Sequence, residues 1–233
     1  MIAIVTSCIN PGKPSNLQKS FFSLEEREIQ TIFTLKSLQR VGFSKIIIVD
    51  NSTAYDFTKI KAAVNDIEVV QLHQHQFENK GINELLMLLS TIELLPDHTP
   101  IFKISGRYYP NENFVLEIDK NVDFKFKSYQ FLTKRGTIST RGYFVKDKMI
   151  FENFLTQTLS EVFVYRYRAV GFRSFIELLI GIFKPKIFTS FGTSIEFAAA
   201  RVIKMNNYTY SMVEVMGIEG QVAGFKDVPK IKE

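Results

Sequence analysis

Residues 45–52 read KIIIVDNS, four consecutive β-branched apolar side chains between a lysine and the polar run Asp50, Asn51, Ser52. A strand that is apolar at every position, not at alternate ones, is buried on both faces, as in a parallel sheet covered by helices. The same pattern opens the chain at 1–9 (MIAIVTSCI) and returns at 67–72 (IEVVQL) and 101–105 (IFKIS). Between the first two runs, Ser23 and Glu26 have capping-box spacing, and Ile29, Ile32, Phe33, Leu35 and Leu38 recur at helical intervals until Gly42. A shorter helix is predicted near 56–64, and a further one from about 80 to 95, closed by Pro96 and Pro100. Strands alternating with helices imply a parallel sheet wound through right-handed crossovers.

Past Ser105 the rhythm changes. Segments 123–131 (DFKFKSYQF) and 137–145 (TISTRGYFV) alternate in polarity, as in antiparallel or mixed sheet, and helices are predicted over 148–167, 172–183 and 193–205. YTYSMVEV, the glycine-spaced MGIEGQVAG and a basic tail follow. With no internal repeat and no low-complexity linker, the change near Ser105 is read as a change of role within one domain over 1–233, with halves 1–110 and 111–233. The expected class is α/β: a Rossmann-like, mostly parallel sheet flanked by helices, with a smaller mixed-sheet and helical half.

Composition bounds the function. Among 233 residues 45% are hydrophobic and 23% charged, which excludes disordered, collagenous and coiled-coil classes. A single cysteine forms no internal disulfide and no cysteine-based zinc site, which suits a reducing cytoplasm; Cys8 is read as a small buried hydrophobe. The first apolar run has neither a basic stretch before it nor a small-residue cleavage site after it, so it is read as a strand and not a signal peptide. Lys plus Arg number 29 against 24 acidic residues, a net +5 that invites phosphate-bearing partners: nucleic acid, an anionic membrane surface or a nucleotide-linked substrate. The cations are scattered, which disfavours nucleic acid. The stretch 166–186 (RYRAVGFRSFIELLIGIFKPK) is basic at both ends and apolar between, and too short to span a bilayer. Peripheral contact with the inner face of the membrane is one reading of it; core or dimer contact is the other.

Several motifs are absent: no GxGxxG follows the first strand, and there is no GxxxxGK[ST] and no GxSxG. His73 and His75 have no third ligand nearby in the sequence and are read as solvated or hydrogen-bonded. What remains is the set of polar residues at the strand ends, where open parallel sheets bind ligands: Thr6 and Ser7; Asp50 and Asn51; the Asn79-Lys80-Gly81 helix start; and Lys103, Ser105, Gly106, Arg107 and Tyr108.

Taken in order, IAIVTS, KIIIVDNS, ENKGINELL and PIFKISGRYYPNENF resemble the nucleotide-sugar half of a GT-A glycosyltransferase. The K-x-S-G-R-Y segment is similar to bacterial and viral polysaccharide or lipopolysaccharide glycosyltransferases. The resemblance implies a cytoplasmic enzyme that moves a sugar from a nucleotide-sugar donor to a glycan or lipid-linked acceptor. This sequence departs from the common pattern at one point: SGRY stands where a metal-binding DxD is usual, and no DxD occurs in the chain. The leaving diphosphate still needs positive charge, so Arg107, with Lys103 or Lys80, is expected to supply it without an essential metal or other cofactor.

By the same resemblance Thr6, Ser7, Asp50 and Asn51 contact the nucleoside, Lys80 and Gly81 lie along the phosphates, and Ser105, Gly106 and Tyr108 line the donor site. An acceptor hydroxyl needs a base. Glu196 is the first candidate, with a Thr193–Glu196 capping box as its structural alternative; Glu219 and Glu214 follow. Arg141 is expected to reach acceptor or phosphate. Two other functions stay open: a single-stranded nucleic-acid-binding module, and a sugar-phosphate nucleotidyltransferase, for which NPGKPSN is a poor glycine-rich loop.

Overall fold

The computed structural model describes residues 1–11, 22–72, 77, 79–133, 136–167, 172, 176, 179–180, 193–221 and 230–233. Its elements in chain order are β1 (Ile2–Ser7), α1 (Leu24–Val41), β2 (Lys45–Asp50), α2 (Thr58–Ala63), β3 (Ile67–Gln71), α3 (Lys80–Leu89), β4 (Ile101–Ser105), β5 (Tyr108–Pro110), β6 (Phe124–Tyr129), β7 (Thr137–Val145), α4 (Lys148–Tyr167), α5 (Ile195–Met205), β8 (Tyr210–Val213), β9 (Ile218–Gly220) and β10 (Ile231–Lys232). Seven strands form one sheet in the order β3-β2-β1-β4-β7-β6-β8. The pairs β3–β2, β2–β1, β1–β4 and β6–β8 are parallel, whereas β7 runs antiparallel to both neighbours. The architecture is α/β with a mostly parallel sheet, as expected, and its direction changes just beyond Ser105.

Every residue of β1 is buried, as are the last five of β2, so the two continuous apolar runs form the middle of the parallel half. Around β4, Phe43, Phe102, Phe114 and Phe144 stack within 4.5–6.2 Å of one another. Flat rings fill the space between sheet and covering layer without polar atoms to satisfy.

Helix α1 starts and stops where the sequence places it. Both halves of the Ser23–Glu26 capping box form, and Gly42 closes the helix at φ +97°, where a Cβ would be strained. Its buried face matches the expected one only in part. Ile29 and Phe33 are exposed, whereas Thr31, Thr34, Leu35, Ser37 and Leu38 are buried. The cause is the partner: α1 packs on β5 and the turn before it, and Thr34 Oγ1 lies 2.9 Å from Tyr108 O and 3.2 Å from Gly106 O. Backbone carbonyls on the facing surface call for a hydroxyl, not a methyl.

Helix α3 ends at Leu89, earlier than the apolar pattern, because Ser90 and Thr91 donate their hydroxyls back to Met87 O and Leu88 O, both at 2.7 Å. A short 3₁₀ turn, Ile92–Leu94, completes the segment. The small sheet β10-β9-β5 is additional to the sequence reading, which misses strands of two or three residues. Of the helix read over 172–183, only Phe172, Ile176, Leu179 and Ile180 are described; all four are helical and exposed. No described helix is long and apolar enough to cross a membrane. His73 and His75 lie outside the described residues.

Candidate active site

The register of the parallel half brings the sequence candidates to one edge. Thr6 pairs with Ser105 and Ser7 with Asp50, so the C-terminal ends of β1, β2 and β4 lie side by side. Gly106 N–H donates to Thr6 O at 2.8 Å, and a Cβ on Gly106 would meet that oxygen at 3.3 Å, so the turn carrying Arg107 leaves β4 tightly against β1.

Asp50 has a different task from the nucleoside contact expected of it. Its carboxylate is fully buried and accepts from Ile9 N–H at 3.2 Å and Ser52 N–H at 2.8 Å, clasping the loops after β1 and β2. Thr6 and Ser7 are almost as buried, and Asn51 is half-buried in the same loop, its N–H donating to Ser7 O at 3.0 Å. These residues shape the rim.

The charge at the rim comes from Arg27, Lys80 and Arg107, which lie close enough to repel one another. Arg27 projects from the first turn of α1 and donates only to backbone, to Cys8 O at 2.7 Å and Phe22 O at 3.3 Å. Arg107 is half-buried and Lys80 exposed; neither has a hydrogen-bond or ion-pair partner among the described residues. Burial, and then the neighbouring Arg107 and Arg27, lower the Lys80 pKa below the ordinary lysine value. Burial likewise lowers Arg27 and Arg107, although a guanidinium stays charged at any physiological pH. Cys8 sits among them with its thiol pushed up to about 11 by burial and by Asp50, and is therefore neutral. It is half-buried at the rim, not a core hydrophobe. Sequence reasoning missed Arg27, because only the tertiary fold carries the start of α1 to the strand ends.

A second, acidic group adjoins this one. Asn79 caps α3 and also donates to Thr193 O at 3.2 Å, joining the starts of α3 and α5. Gly81 is the closest packing point there: a Cβ would stand 2.8 Å from Ile195 Cβ. Lys103 is wholly buried, bonded to Glu84, to Thr140 O and, at 3.3 Å, to Ser105 Oγ, so its charge is matched internally. Glu196 does not form the Thr193 capping box. Ser194 is the N-cap, accepting from Phe197 N–H at 3.3 Å, and Glu196 accepts from Thr140 Oγ1 at 3.4 Å.

The remaining candidates lie apart. Glu219, on β9, accepts from Tyr109 and lies 3.7 Å from Lys230. Glu214 is exposed beyond β8, three strands from β4. Arg141 pairs with the buried Glu233, which also accepts from Ser139 Oγ at 2.6 Å and from Tyr129. Tyr108 is buried, its ring 5.7 Å from the Arg141 guanidinium.

Arg107, Arg27 and Lys80 stand together at the strand ends. Among the described residues no group of three His, Cys, Asp or Glu side chains comes together as a metal site.

No family model and no curated protein matches the sequence. Among solved structures, the chain is similar to 4-diphosphocytidyl-2C-methyl-D-erythritol synthase from Anaerococcus prevotii, at 13% identity over 97% of this chain and 89% of that one, TM-score 0.49. It is similar to a nucleoside-diphosphate-sugar pyrophosphorylase from Vibrio cholerae, at 12% identity over 97% of both chains, TM-score 0.48. It is also similar to CTP:phosphocholine cytidylyltransferase from Streptococcus pneumoniae, at 10% identity over 94% and 93%, TM-score 0.47. Likeness at this level leaves the fold class resting on strand order and register, and the function on the residues at the strand ends.

Proposed function

We propose that this chain is a nucleotide-dependent transferase that binds the phosphates of a nucleotide sugar between Arg27, Lys80 and Arg107 and moves the sugar to a hydroxyl acceptor. The observation that carries this reading is the cluster of three cations with no carboxylate partner among the described residues. Like charges held together raise the energy of the free protein, and an anion relieves it. In glycosyl transfer the bond from sugar carbon to phosphate oxygen breaks, the electron pair goes to the diphosphate, and the cluster stabilises the charge that develops. The acceptor hydroxyl forms the new bond and releases its proton to a carboxylate, for which Glu196 is the candidate.

Nucleotidyl transfer, the chemistry of the similar structures, is the second reading. There a sugar phosphate attacks the α-phosphorus of a nucleoside triphosphate and pyrophosphate leaves; three grouped cations suit a triphosphate equally well. What favours glycosyl transfer is Glu84 within electrostatic reach of Arg107, joined through Lys103 and Thr140 to Glu196, because a hydroxyl nucleophile needs a base and an already ionised phosphate does not.

The test is a panel of nucleotide sugars and, separately, of triphosphates with sugar phosphates. Release of nucleoside diphosphate supports the first reading, release of pyrophosphate the second, and stabilisation by no nucleotide in thermal shift overturns both. Glycosyl transfer is expected to persist in excess chelator; its complete loss, restored by Mn²⁺ or Mg²⁺, would contradict the cation-based mechanism. Exposed Phe172, Ile176, Leu179 and Ile180 have the spacing of one helical face, which supports peripheral membrane contact and a lipid-linked acceptor.

A further inference from the structure

A lysine in the middle of a buried strand is costly to desolvate and is retained where its partners use it. Lys103 stands on β4 between β1 and β7, wholly buried, and its three N–H bonds go to Glu84 Oε1, Ser105 Oγ and Thr140 O. These partners come from three elements: α3, the end of β4, and β7. Thr140 in turn donates to Glu196, so one ammonium group joins the two helix starts that carry the carboxylates.

Glu84 is left with an asymmetry. One oxygen is held by Lys103; the other has no hydrogen-bond partner among the described residues, and the side chain is 22% exposed. Glu84 lies four residues after Lys80, hence on the same face of α3. It lies close enough to Arg107 to act on its charge. Along the site the order is therefore the cations, then Glu84, then Thr140 and Glu196.

We propose that Lys103 is a positioning residue that holds Glu84 with its free oxygen turned to the space beside Arg107, and that this oxygen accepts hydrogen bonds from ring hydroxyls of the sugar attached to the bound diphosphate. The inference rests on the phosphate site proposed above. A group joined to the terminal phosphate begins next to Arg107, and a half-satisfied carboxylate there recognises hydroxyl donors and rejects a further phosphate. Lys103 reaches no ligand itself and acts through Glu84.

The experiment measures Kd by calorimetry for UDP, GDP, dTDP and CMP and for hexose conjugates of each, in the wild type and in Glu84→Gln, Lys103→Met and the double variant. The wild type is expected to bind one conjugate at least tenfold more tightly than its parent nucleotide. Glu84→Gln should abolish that increment and leave parent-nucleotide affinity within about twofold. Lys103→Met should reduce the increment in the wild type and change nothing further in the Glu84→Gln background, the non-additivity expected of a residue acting through another. An undiminished increment in Glu84→Gln, or a wild type that binds nucleotides but no conjugate more tightly, overturns the inference. Additive losses in the double variant overturn the positioning role of Lys103. If Lys103→Met does not fold, Glu84→Gln alone decides the recognition claim, and Lys103→Gln takes its place in the cycle. Binding of no nucleotide at all is a different failure, that of the phosphate site.

Discussion

The rim at the ends of β1, β2 and β4 and the sheet beyond β4 treat charge in different ways. At the rim, the cations form no ion pair with a carboxylate among the described residues: Arg27 donates only to backbone, and Lys80 and Arg107 lie close enough to repel one another. On the side of β7, β6 and the small sheet, charges are matched: Arg141 with Glu233, Lys230 with Glu219, Arg201 with Glu161 at 2.6 Å. Lys103, on the dividing strand, turns to Glu84 and belongs with the matched set. Charges that the fold satisfies hold it together, and those left without an ion pair at the rim are the phosphate site proposed above.

Arg107→Ala is the sharpest test of that contrast. Removing one fixed donor to developing charge lowers turnover by about 10²-fold or more, while melting temperature should stay within a few degrees, because no described residue loses a partner. Arg141→Ala should do the reverse. It leaves Glu233 buried without its cation and should cost about 3 kcal/mol in denaturant unfolding, with near-normal turnover in the fraction that remains folded. An Arg141 variant that is inactive yet fully stable would move Arg141 into the ligand site and break the division.

Smaller effects sharpen it. Thr34→Val keeps the shape of the side chain but leaves the carbonyls of Gly106 and Tyr108 without the buried hydroxyl. It should cost about 1–2 kcal/mol in denaturant unfolding and lower turnover several-fold through the Arg107 turn. The least effect is in pH. The lowered pKa of Lys80 means that the unfolded chain holds more protons than the folded one between that value and the ordinary lysine pKa, so stability of the free protein rises slightly with pH in that window. A bound phosphate favours protonated Lys80, so nucleotide affinity should fall as pH rises through the same window. Calorimetric titration from neutral to alkaline pH should find this slope in the wild type and a flatter one in Lys80→Met.

Much of the architecture is legible in the sequence because the signals are local. Four residues of continuous β-branched side chain in KIIIVDNS have no stable place except a doubly covered strand. The Ser23–Glu26 box and Gly42 fix the ends of α1 by hydrogen bonds and a backbone angle that need no distant partner. β7 and α4 likewise span the segments read for them, 137–145 and 148–167.

Which face of a helix is buried, and which ions find partners, depend on what stands opposite. That information is not local. The apolar stripe of α1 includes Ile29 and Phe33, yet part of the facing surface is a turn of backbone carbonyls, so Thr31 and Thr34 are buried with Leu35 and Leu38 while Ile29 and Phe33 are exposed. Lys103 and Arg107 are four residues apart at one strand end and look equivalent in the sequence. Only the packing of α3 over the sheet gives Glu84 to Lys103 and leaves Arg107 without an ion pair. The sequence by itself determined the strands, the caps and the row of polar strand ends. The tertiary structure decided which of those polar groups are used up in holding the fold, because electrostatic and hydrogen-bond energies depend on distances that only the folded chain sets.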